Sequence, residues 1–304
     1  MKISDFSSAE LESALIKNEL LIGTPPFVVR IQSDVTTLSR DIAHVYADFD
    51  ICPPGSFADF HIQIMREPGL RRWFKPLARF FFDGQPSFVP LPSYQALAML
   101  EWGFNWCVAA HSHQFLIIHA AVVEKDGKAA VLPAPPGSGK STLCAALVLR
   151  GWRLLSDELA LYDMTAGMVW GMARPLNLKN RSIDVIQTFE PSAVFSIRVP
   201  NTTKGTVALL RPPHESVRRA REPARPAFVV VPRYEAGAAA LLSSRSKAST
   251  LMLMAEQSFN YDIHGENGFR GMERLVDAVD CYDLTYSKLD DGIRIFQDLF
   301  VEAE

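Results

Sequence analysis

The stretch that decides the fold of this chain is Val131-Leu132-Pro133-Ala134-Pro135-Pro136-Gly137-Ser138-Gly139-Lys140-Ser141-Thr142. The apolar residues at its start predict a buried strand, and the glycines after them let the backbone curl so that successive N–H groups converge on one anion. The lysine supplies a mobile positive charge, and the serine a hydroxyl suited to a phosphate-bound Mg²⁺. The stretch is therefore typical of a Walker A phosphate-binding loop. Its predicted nucleotide-binding residues are Pro136, Gly137, Ser138, Gly139, Lys140, Ser141 and Thr142.

The sequence on either side of the loop supports this interpretation. Residues 141–150 predict a helix whose positive N-terminus points at the same anion, and Gly151 is suited to end that helix. The pattern G-x-x-x-x-G-K-[ST] is met except at its first position, where Ala134 stands. The alternative is a flexible loop with an incidental lysine, but it does not account for the strand before the loop and the helix after it.

The composition is that of a globular protein without a global charge preference. The chain has 304 residues, of which 48% are hydrophobic and 21% charged, and its formal net charge is −3. This balance predicts neither nucleic acid nor an anionic membrane as a partner. The four cysteines show no C-x-x-C spacing and predict reduced thiols, and no apolar run is long enough to span a bilayer. We therefore expect a cytoplasmic protein.

The chain predicts two domains joined by a helix. Residues 1–92 predict a small α+β module with a capping box near its start, and alternating apolar and polar residues predict half-buried strands at 27–32 and 59–65. The apolar segment 93–112 predicts a buried helix that bridges this module to the remainder. The second domain is predicted at 93–304.

Polar residues of chemical interest follow or interrupt apolar strands in the second domain. Residues 115–123 predict a strand buried on both faces, with His119 as its one polar side chain. Residues 152–156 predict a short strand that ends in Asp157 and Glu158. In a sheet where this strand neighbours the strand before the loop, both carboxylates lie at the same edge as the loop lysine.

Each of these polar residues also has a plain structural interpretation. Two adjacent carboxylates can have different roles, since one can take the proton from an attacking hydroxyl while the other binds Mg²⁺. Asp157 and Glu158 can equally form a helix-capping or solvated pair. His119 can hydrogen-bond the base or the transferred phosphoryl group, but a lone histidine in an apolar strand is more often a satisfied core residue.

The residues carry a resemblance to a known family. The order of His119, the loop at 136–142 and the pair Asp157-Glu158 resembles the catalytic domain of the HPr kinase/phosphorylase group, and is closer still to the proteins called HprK-related kinase A. The resemblance implies an α/β fold, with a P-loop nucleotide-binding core of the HPr kinase and phosphoenolpyruvate carboxykinase type and a mixed sheet. It also implies ATP-dependent phosphorylation of a serine hydroxyl on a small protein. Further stretches that resemble these relatives are 100–106, 174–180 and 260–265.

The resemblance implies roles for individual residues. Asp157 would be the general base, Lys140 would clamp the phosphates, and His119 would support the base. Ser141 and Glu158 would help to hold Mg²⁺.

The chain also departs from the group. The group's enzymes have two adjacent aspartates where this chain has Asp-Glu, and the chain has no counterpart of their downstream Glu-x-Arg-Gly-x-Gly signature. In that region residues 174–180 predict a loop with two cations, Arg174 and Lys179. These would contact the nucleotide and replace a second metal contact with fixed positive charge. The alternative is a solvated loop.

Two hypotheses of function follow. The first is a phosphotransferase that uses ATP and Mg²⁺, with a hydroxyl of a peptide, a small protein or a small metabolite as the acceptor. The second is a nucleotide-binding switch or adaptor that does not transfer phosphate. Asp157 separates them, because a binder needs no base beside the metal ligand. No local motif names the acceptor, and the resemblance implies a homo-oligomer because the HPr kinase group is oligomeric.

Overall fold

The computed structural model describes residues 1–302, with the side chains of all of these except residues 71 and 72. Its N-terminal part begins with two helices and one sheet. The helices are α1 (Ser8–Ile16) and α2 (Thr36–Val45), and the strands are β1 (Leu20–Thr24), β2 (Phe27–Ser33), β3 (Phe60–Arg66), β4 (Leu77–Phe82), β5 (Gln85–Pro86) and β6 (Leu91–Pro92). The sheet has the order β1-β2-β3-β4-β5, with β6 beside β4.

The local sequence explains these first elements. Ser7 caps α1 and forms with Glu10 the capping box that the sequence predicted. Buried residues alternate with more exposed ones along β2 and β3, which pair in parallel, so the predicted half-buried strands are present. The next helix, α3, occupies Ala96–His111, within the segment predicted to bridge two domains. The domain boundary itself stays a prediction, because the N-terminal sheet, α3 and part of the following sheet share one hydrophobic core.

The remainder of the chain alternates strands and helices. The elements are β7 (Leu116–Lys125), β8 (Lys128–Pro133), α4 (Lys140–Leu149), β9 (Arg153–Ser156), β10 (Leu159–Asp163), β11 (Met168–Trp170), β12 (Leu176–Lys179), α5 (Arg181–Phe189), β13 (Val199–Thr202), β14 (Gly205–Leu210), α6 (His214–Arg218), β15 (Arg225–Tyr234), β16 (Leu241–Ser244), α7 (Lys247–Glu256), α8 (Glu266–Asp277), β17 (Asp280–Tyr286) and α9 (Leu289–Val301).

The second sheet is mixed and carries the glycine-rich loop. Its order is β11-β10-β7-β8-β15-β17-β16, with β9 also paired to β7. The strands β8, β15 and β17 run parallel to one another, whereas β7 is antiparallel to β8. The fold is therefore α/β with mixed sheets, as the sequence predicted.

The strand β9 has a different neighbour from the one expected, but its carboxyl end still lies at the expected edge of the sheet. We expected β9 to neighbour the strand before the loop, but β9 pairs with β7, on the side away from β8. Because both β8 and β9 are antiparallel to β7, they run in the same direction. Their carboxyl ends therefore meet at the same edge of the sheet, one strand apart.

A third, three-stranded sheet corrects a second prediction. Residues 174–180 were predicted to form a loop, but β12 occupies most of this segment and pairs with β14 in the order β12-β14-β13. Leu176 and Leu178 are fully buried, so this short segment gains both ladder hydrogen bonds and burial. The sequence prediction gave more weight to the cations Arg174 and Lys179 than to the two leucines between them, and so missed this strand.

Helices cover both faces of the second sheet. One face packs with α4, α5 and α9 around a core that also includes leucines of β12 and β14. The other face packs with α7 and α8. The four cysteines are free thiols, as predicted. Among the described residues, no helix combines the length and the apolar composition needed to cross a membrane.

Candidate functional site

The glycine-rich loop joins β8 to α4 in a conformation that requires its glycines. Gly137 and Gly139 have φ angles of +88° and +91°, which L side chains rarely adopt. A Cβ at position 139 would in addition lie 2.5 Å from Oη of Tyr286 and 2.9 Å from Cβ of Tyr234. Ala134 is buried and is not among the residues with positive φ, so the alanine fits where the pattern has its first glycine.

Two neighbouring strand ends hold the loop in place. The backbone N–H of Tyr234, at the end of β15, donates to the carbonyl of Ser138 at 2.8 Å. The hydroxyl of Tyr286, at the end of β17, donates to the carbonyl of Gly139 at 3.0 Å. The loop is therefore fixed by the parallel strands of the sheet, and α4 begins directly after it at Lys140.

Lys140 lies against His119 in a mostly buried site. Its ammonium is 3.2 Å from Nε2 of His119, and because an ammonium can only donate, Nε2 must accept and the imidazole is neutral. Burial lowers the pKa of Lys140, while Asp157 and Glu158 oppose this shift. Burial, followed by the charge of Lys140, lowers the pKa of His119. The site therefore contains a lysine ammonium that donates a hydrogen bond to a neutral histidine.

Asp157 is the most enclosed carboxylate of the site. It is 6% exposed, and its Oδ2 accepts from the backbone N–H of Asn177 at 3.0 Å. Within the described part of the chain its Oδ1 is buried without a hydrogen-bond partner. Burial first, and the charge of Glu158 second, raise the pKa of Asp157 to about 6, although Lys140, the Asn177 N–H and the nearby Ser141 hydroxyl lower it.

Glu158 is partly exposed and is held by the half-buried Asn105, behind which lies a series of buried polar groups. Nδ2 of Asn105 donates to its Oε2 at 2.5 Å, and Oδ1 of Asn105 accepts from Arg174. Arg174 also donates to Oε2 of Glu101 at 3.0 Å, and Tyr46 donates to the other oxygen of Glu101. We call Tyr46, Glu101, Arg174 and Asn105 the polar chain.

Arg174 lines the same cavity as Asp157 and Glu158, and its role as a nucleotide contact stays a prediction. Its guanidinium is engaged by Glu101 and Asn105 and lies 4.4 Å from the centroid of the Phe104 ring. It is 8% exposed. Its charge is matched inside the protein by Glu101.

Lys179 interacts electrostatically with the site. Its charge contributes to lowering the pKa values of Lys140 and His119, after the larger effect of burial. Lys204 is exposed, and its ammonium lies 5.0 Å from the ring centroid of Trp102. Desolvation lowers the pKa of Lys204, and the charge of Glu158 opposes this shift. An exposed third lysine that the sequence did not suggest therefore interacts electrostatically with Glu158.

A small cavity lies beneath the two carboxylates. Its volume is about 20 Å³, and its lining includes Asp157, Glu158 and Asn177, enough for about one water molecule. Asn177 is 5% exposed, and neither atom of its side-chain amide has a partner among the described residues. The unpartnered atoms of Asp157 and Asn177 thus line one polar cavity.

Sequence reasoning missed Asn105, Asn177 and Lys204. A signal existed for Asn105, because it follows Glu101 by four residues in an otherwise apolar helix, and such residues share one face. Asn177 and Lys204 reach the site only through the third sheet, so no local pattern indicated them. Of the predicted residues, Lys140, His119, Asp157, Glu158 and Lys179 are brought together, and Ser141 lies near Asp157.

The predicted metal ligands form a sparse set. Within the described residues, no group of three or more His, Cys, Asp or Glu side chains is placed to hold a metal ion. Ser141 and Glu158 offer a hydroxyl and a carboxylate. This donor set suits Mg²⁺, which proteins bind through one or two carboxylates together with phosphate oxygens and water.

The chain was compared with known proteins. No family model and no curated protein matches it. One solved structure, that of the Hpr(Ser) kinase/phosphatase from Coxiella burnetii, is similar over 62% of this chain and 93% of that chain, with 9% identity and a TM-score of 0.26. A similarity at this level does not establish a shared family or function, so membership of the HPr kinase group stays a prediction.

Proposed function

We propose that this protein is an ATP-dependent kinase that transfers the γ-phosphoryl group to a hydroxyl, with Mg²⁺ as its metal. The observation that carries the proposal is the meeting, at one sheet edge, of a glycine-rich turn that opens α4, the Lys140–His119 contact and the enclosed carboxylate of Asp157. Phosphoryl transfer needs this combination of anion binding, fixed positive charge and a base.

The loop and Lys140 bind the phosphates. The N-terminus of α4 and the turn at residues 136–139 present backbone N–H groups, which attract an anion without any side-chain charge. Lys140 adds its ammonium at the first residue of the helix, and Ser141 and Thr142 follow it. His119 accepts a hydrogen bond from Lys140 and so holds the cation in place. Lys179 contributes a second positive charge to the same region.

Asp157 is the general base. A carboxylate whose pKa is raised to about 6 is still ionised at neutral pH and is a stronger base than an ordinary aspartate. Its Oδ2 is held by the Asn177 N–H, which leaves Oδ1 to accept the proton of the attacking hydroxyl. The proton then resides on Asp157 while the acceptor oxygen attacks the γ-phosphorus, and the bond between this phosphorus and the bridging oxygen breaks to release ADP.

Ser141 and Glu158 are the residues that would hold Mg²⁺. When bound, the ion would neutralise charge on the outer phosphates of ATP. Glu158 is suited to this role because its carboxylate is partly exposed and is oriented by Asn105.

The acceptor is a hydroxyl, which we assign to a serine of a peptide or small protein, with a small-molecule hydroxyl as the alternative. The serine assignment rests on the resemblance to the HPr kinase group and not on a pocket. The proposed homo-oligomeric state rests on the same resemblance, whereas the proposed cytoplasmic location rests on the cysteine spacing and the lengths of the apolar runs in the sequence.

A non-catalytic ATP-binding switch is the second candidate, and the burial of Asp157 favours it. A carboxylate that is 6% exposed meets an acceptor hydroxyl only after the surrounding segments move. In a switch, the same carboxylate would respond to the nucleotide and would transfer nothing.

Binding and transfer are tested separately. We expect titration calorimetry to show Mg²⁺-dependent binding of ADP and ATP, and radiolabelled γ-phosphate to pass from ATP to a protein or metabolite in a cell extract. Asp157→Asn should bind nucleotide and transfer no label, and Lys17→Ala, at an exposed helix end, should behave as wild type. Binding without transfer by the wild type would favour the switch, and absence of binding would contradict both functions.

A further inference from the structure

The polar chain links the N-terminal sheet region to Glu158 through direct contacts. Tyr46 follows α2 directly, Glu101 and Asn105 lie on α3, and Glu158 follows β9. Tyr46 and Glu101 are 2% and 3% exposed. Arg174 is also buried, whereas Asn105 is half-buried. The series therefore begins in the protein interior and ends at the acidic pair of the proposed active site.

The chemistry of the side chains fixes the direction of each hydrogen bond. A guanidinium only donates and a carboxylate only accepts, so Arg174 must donate to both of its partners. Asn105 must then present its oxygen to Arg174 and its NH₂ group to Glu158. The amide orientation is thereby determined, and rotating it by 180° would break both contacts at once.

This arrangement is costly if its only role is stability. Burying an ion pair removes two charges from water, and apolar residues of similar volume often stabilise a core equally well or better. The pair of Arg174 and Glu101 is 8% and 4% exposed at its side chains. A second buried pair, Arg153 with Glu124, is 6% and 1% exposed and is tied to backbone carbonyls. Only the first pair continues to a carboxylate of the site.

We propose that the polar chain consists of positioning residues that orient Glu158 for metal binding. Asn105 makes the direct contact, Arg174 fixes the orientation of Asn105, and Glu101 fixes Arg174. The N-terminal sheet region thereby contributes to metal affinity without contacting the metal. This inference rests on the proposed function, in which Glu158 holds the Mg²⁺ that accompanies the nucleotide.

The test measures ADP binding by calorimetry at a series of Mg²⁺ concentrations. Asn105→Leu preserves side-chain volume and removes both hydrogen bonds. It should raise the Mg²⁺ concentration for half-maximal ADP binding by about 10- to 100-fold, the usual effect of losing a group that orients a metal ligand. ADP affinity without Mg²⁺ should stay at the wild-type value, because Asn105 is not a nucleotide contact.

Matched charge removals supply the second variant and its control. Glu101→Gln removes the charge from the pair that continues to Glu158, and should raise the Mg²⁺ requirement in the same direction by a smaller factor. Glu124→Gln makes the same change in the other buried pair and should alter thermal stability alone. The comparison separates positioning from the general cost of disturbing a buried ion pair.

The outcomes distinguish this inference from the function on which it rests. A wild-type protein whose ADP binding is independent of Mg²⁺ would overturn both. Mg²⁺-dependent binding in the wild type with an unchanged requirement in a folded Asn105→Leu protein would overturn the positioning role alone. If Asn105→Leu does not fold, Glu101→Gln is the deciding variant. An unchanged Mg²⁺ requirement in Glu101→Gln, or an equal rise of this requirement in Glu124→Gln, would then overturn the positioning role.

Discussion

Asp157 has two oxygens in different environments, and this asymmetry is the chemical centre of the proposed site. One oxygen accepts a backbone hydrogen bond, and among the described residues the other has no partner. An unpartnered buried oxygen favours the protonated form, since the charge is not solvated. The raised pKa of Asp157 is the result, and its first cause is burial.

This raised pKa predicts a pH-dependent stability difference between wild type and Asp157→Asn. The folded-state pKa of Asp157, about 6, exceeds its ordinary value of 3.8, so the folded state loses stability as the pH rises from about 3.8 to about 6. Above this range the loss is complete and constant, and below it both states are protonated and the effect is absent. Without nucleotide, Asp157→Asn should therefore be more stable than wild type at pH 8 by up to about 3 kcal/mol. The difference should vanish towards pH 4. Urea unfolding from pH 4 to 8 measures it, and a difference independent of pH would contradict the assignment.

The same pKa predicts the pH dependence of phosphoryl transfer. A base must be unprotonated to accept the acceptor proton, so transfer should decline as the pH falls through about 6. Bound Mg²⁺ would move this point lower, because a cation favours the ionised carboxylate. Single-turnover rates between pH 5 and 8 test the prediction. Glu158→Gln should move this decline to lower pH, because the charge of Glu158 is the second cause, after burial, of the raised pKa of Asp157, and it should raise the Mg²⁺ requirement. Exchanged behaviour of the two carboxylates would swap their roles.

Lys140 predicts an effect that can be measured without any acceptor. Lys140→Ala should weaken ADP binding by about 10- to 100-fold, as expected for the loss of a charged hydrogen bond. It should also raise the pKa of His119 in the free protein, because the charge of Lys140 lowers that pKa. Calorimetry and an NMR titration of the imidazole give the two results. If the ADP affinity is unchanged while the pKa of His119 rises, Lys140 contacts His119 but is not a nucleotide contact.

At the scale of elements, the loop between β8 and α4 is held by the strands beside it. Two glycines with similar φ angles differ in their surroundings: a Cβ at position 137 meets nothing within 4 Å, whereas one at position 139 meets the side chains of Tyr286 and Tyr234. Backbone conformation therefore explains the first glycine. Conformation and packing together explain the second.

This difference makes Gly137→Ala a matched control for Gly139→Ala. Gly137→Ala should lower the free energy of unfolding by about 1–2 kcal/mol, the cost of a left-handed alanine. Gly139→Ala should cost about 1–3 kcal/mol more, because two tyrosines must move, and it should also weaken ADP binding. Chemical unfolding and calorimetry on both variants check this. Equal losses of stability would mean that the tyrosines do not hold the loop.

At the scale of the whole molecule, two sheets and one helix contribute to one site. The mixed sheet supplies the loop and the carboxylates, the three-stranded sheet supplies Lys179 and Asn177, and α3 supplies Asn105 from the N-terminal side. Regions that are distant in sequence therefore meet around Glu158. Coupling between them is expected wherever side chains are in direct contact.

A double-mutant cycle measures this coupling. If Asn105 acts through Glu158, adding Asn105→Leu to Glu158→Gln should change the Mg²⁺ requirement no further, because the carboxylate that Asn105 orients is already gone. The interaction energy should be about 0.5–3 kcal/mol. Glu124→Gln combined with Glu158→Gln should instead be additive within about 0.5 kcal/mol. Additivity in both cycles would show that Asn105 acts independently of Glu158.

The sequence by itself determined the local features of this protein. The capping box, the alternating strands and the apolar strand around His119 each depend on neighbours within about ten residues, and these predicted elements are present. The glycine-rich stretch forms the predicted turn between a strand and a helix, and its binding of phosphate stays a prediction. Short-range sterics and hydrophobic periodicity decide such features, so they can be predicted from the sequence alone.

Only the tertiary structure decided which side chains meet. Strand order placed β9 beyond β7, and pairing with β14 turned the predicted cation loop into β12. Packing then paired Arg174 with Glu101 and Asn105, and brought Asn177 into the cavity beside Asp157 and Glu158. These outcomes depend on pairing between segments tens of residues apart, where the energy comes from burial and hydrogen bonds that no local pattern records.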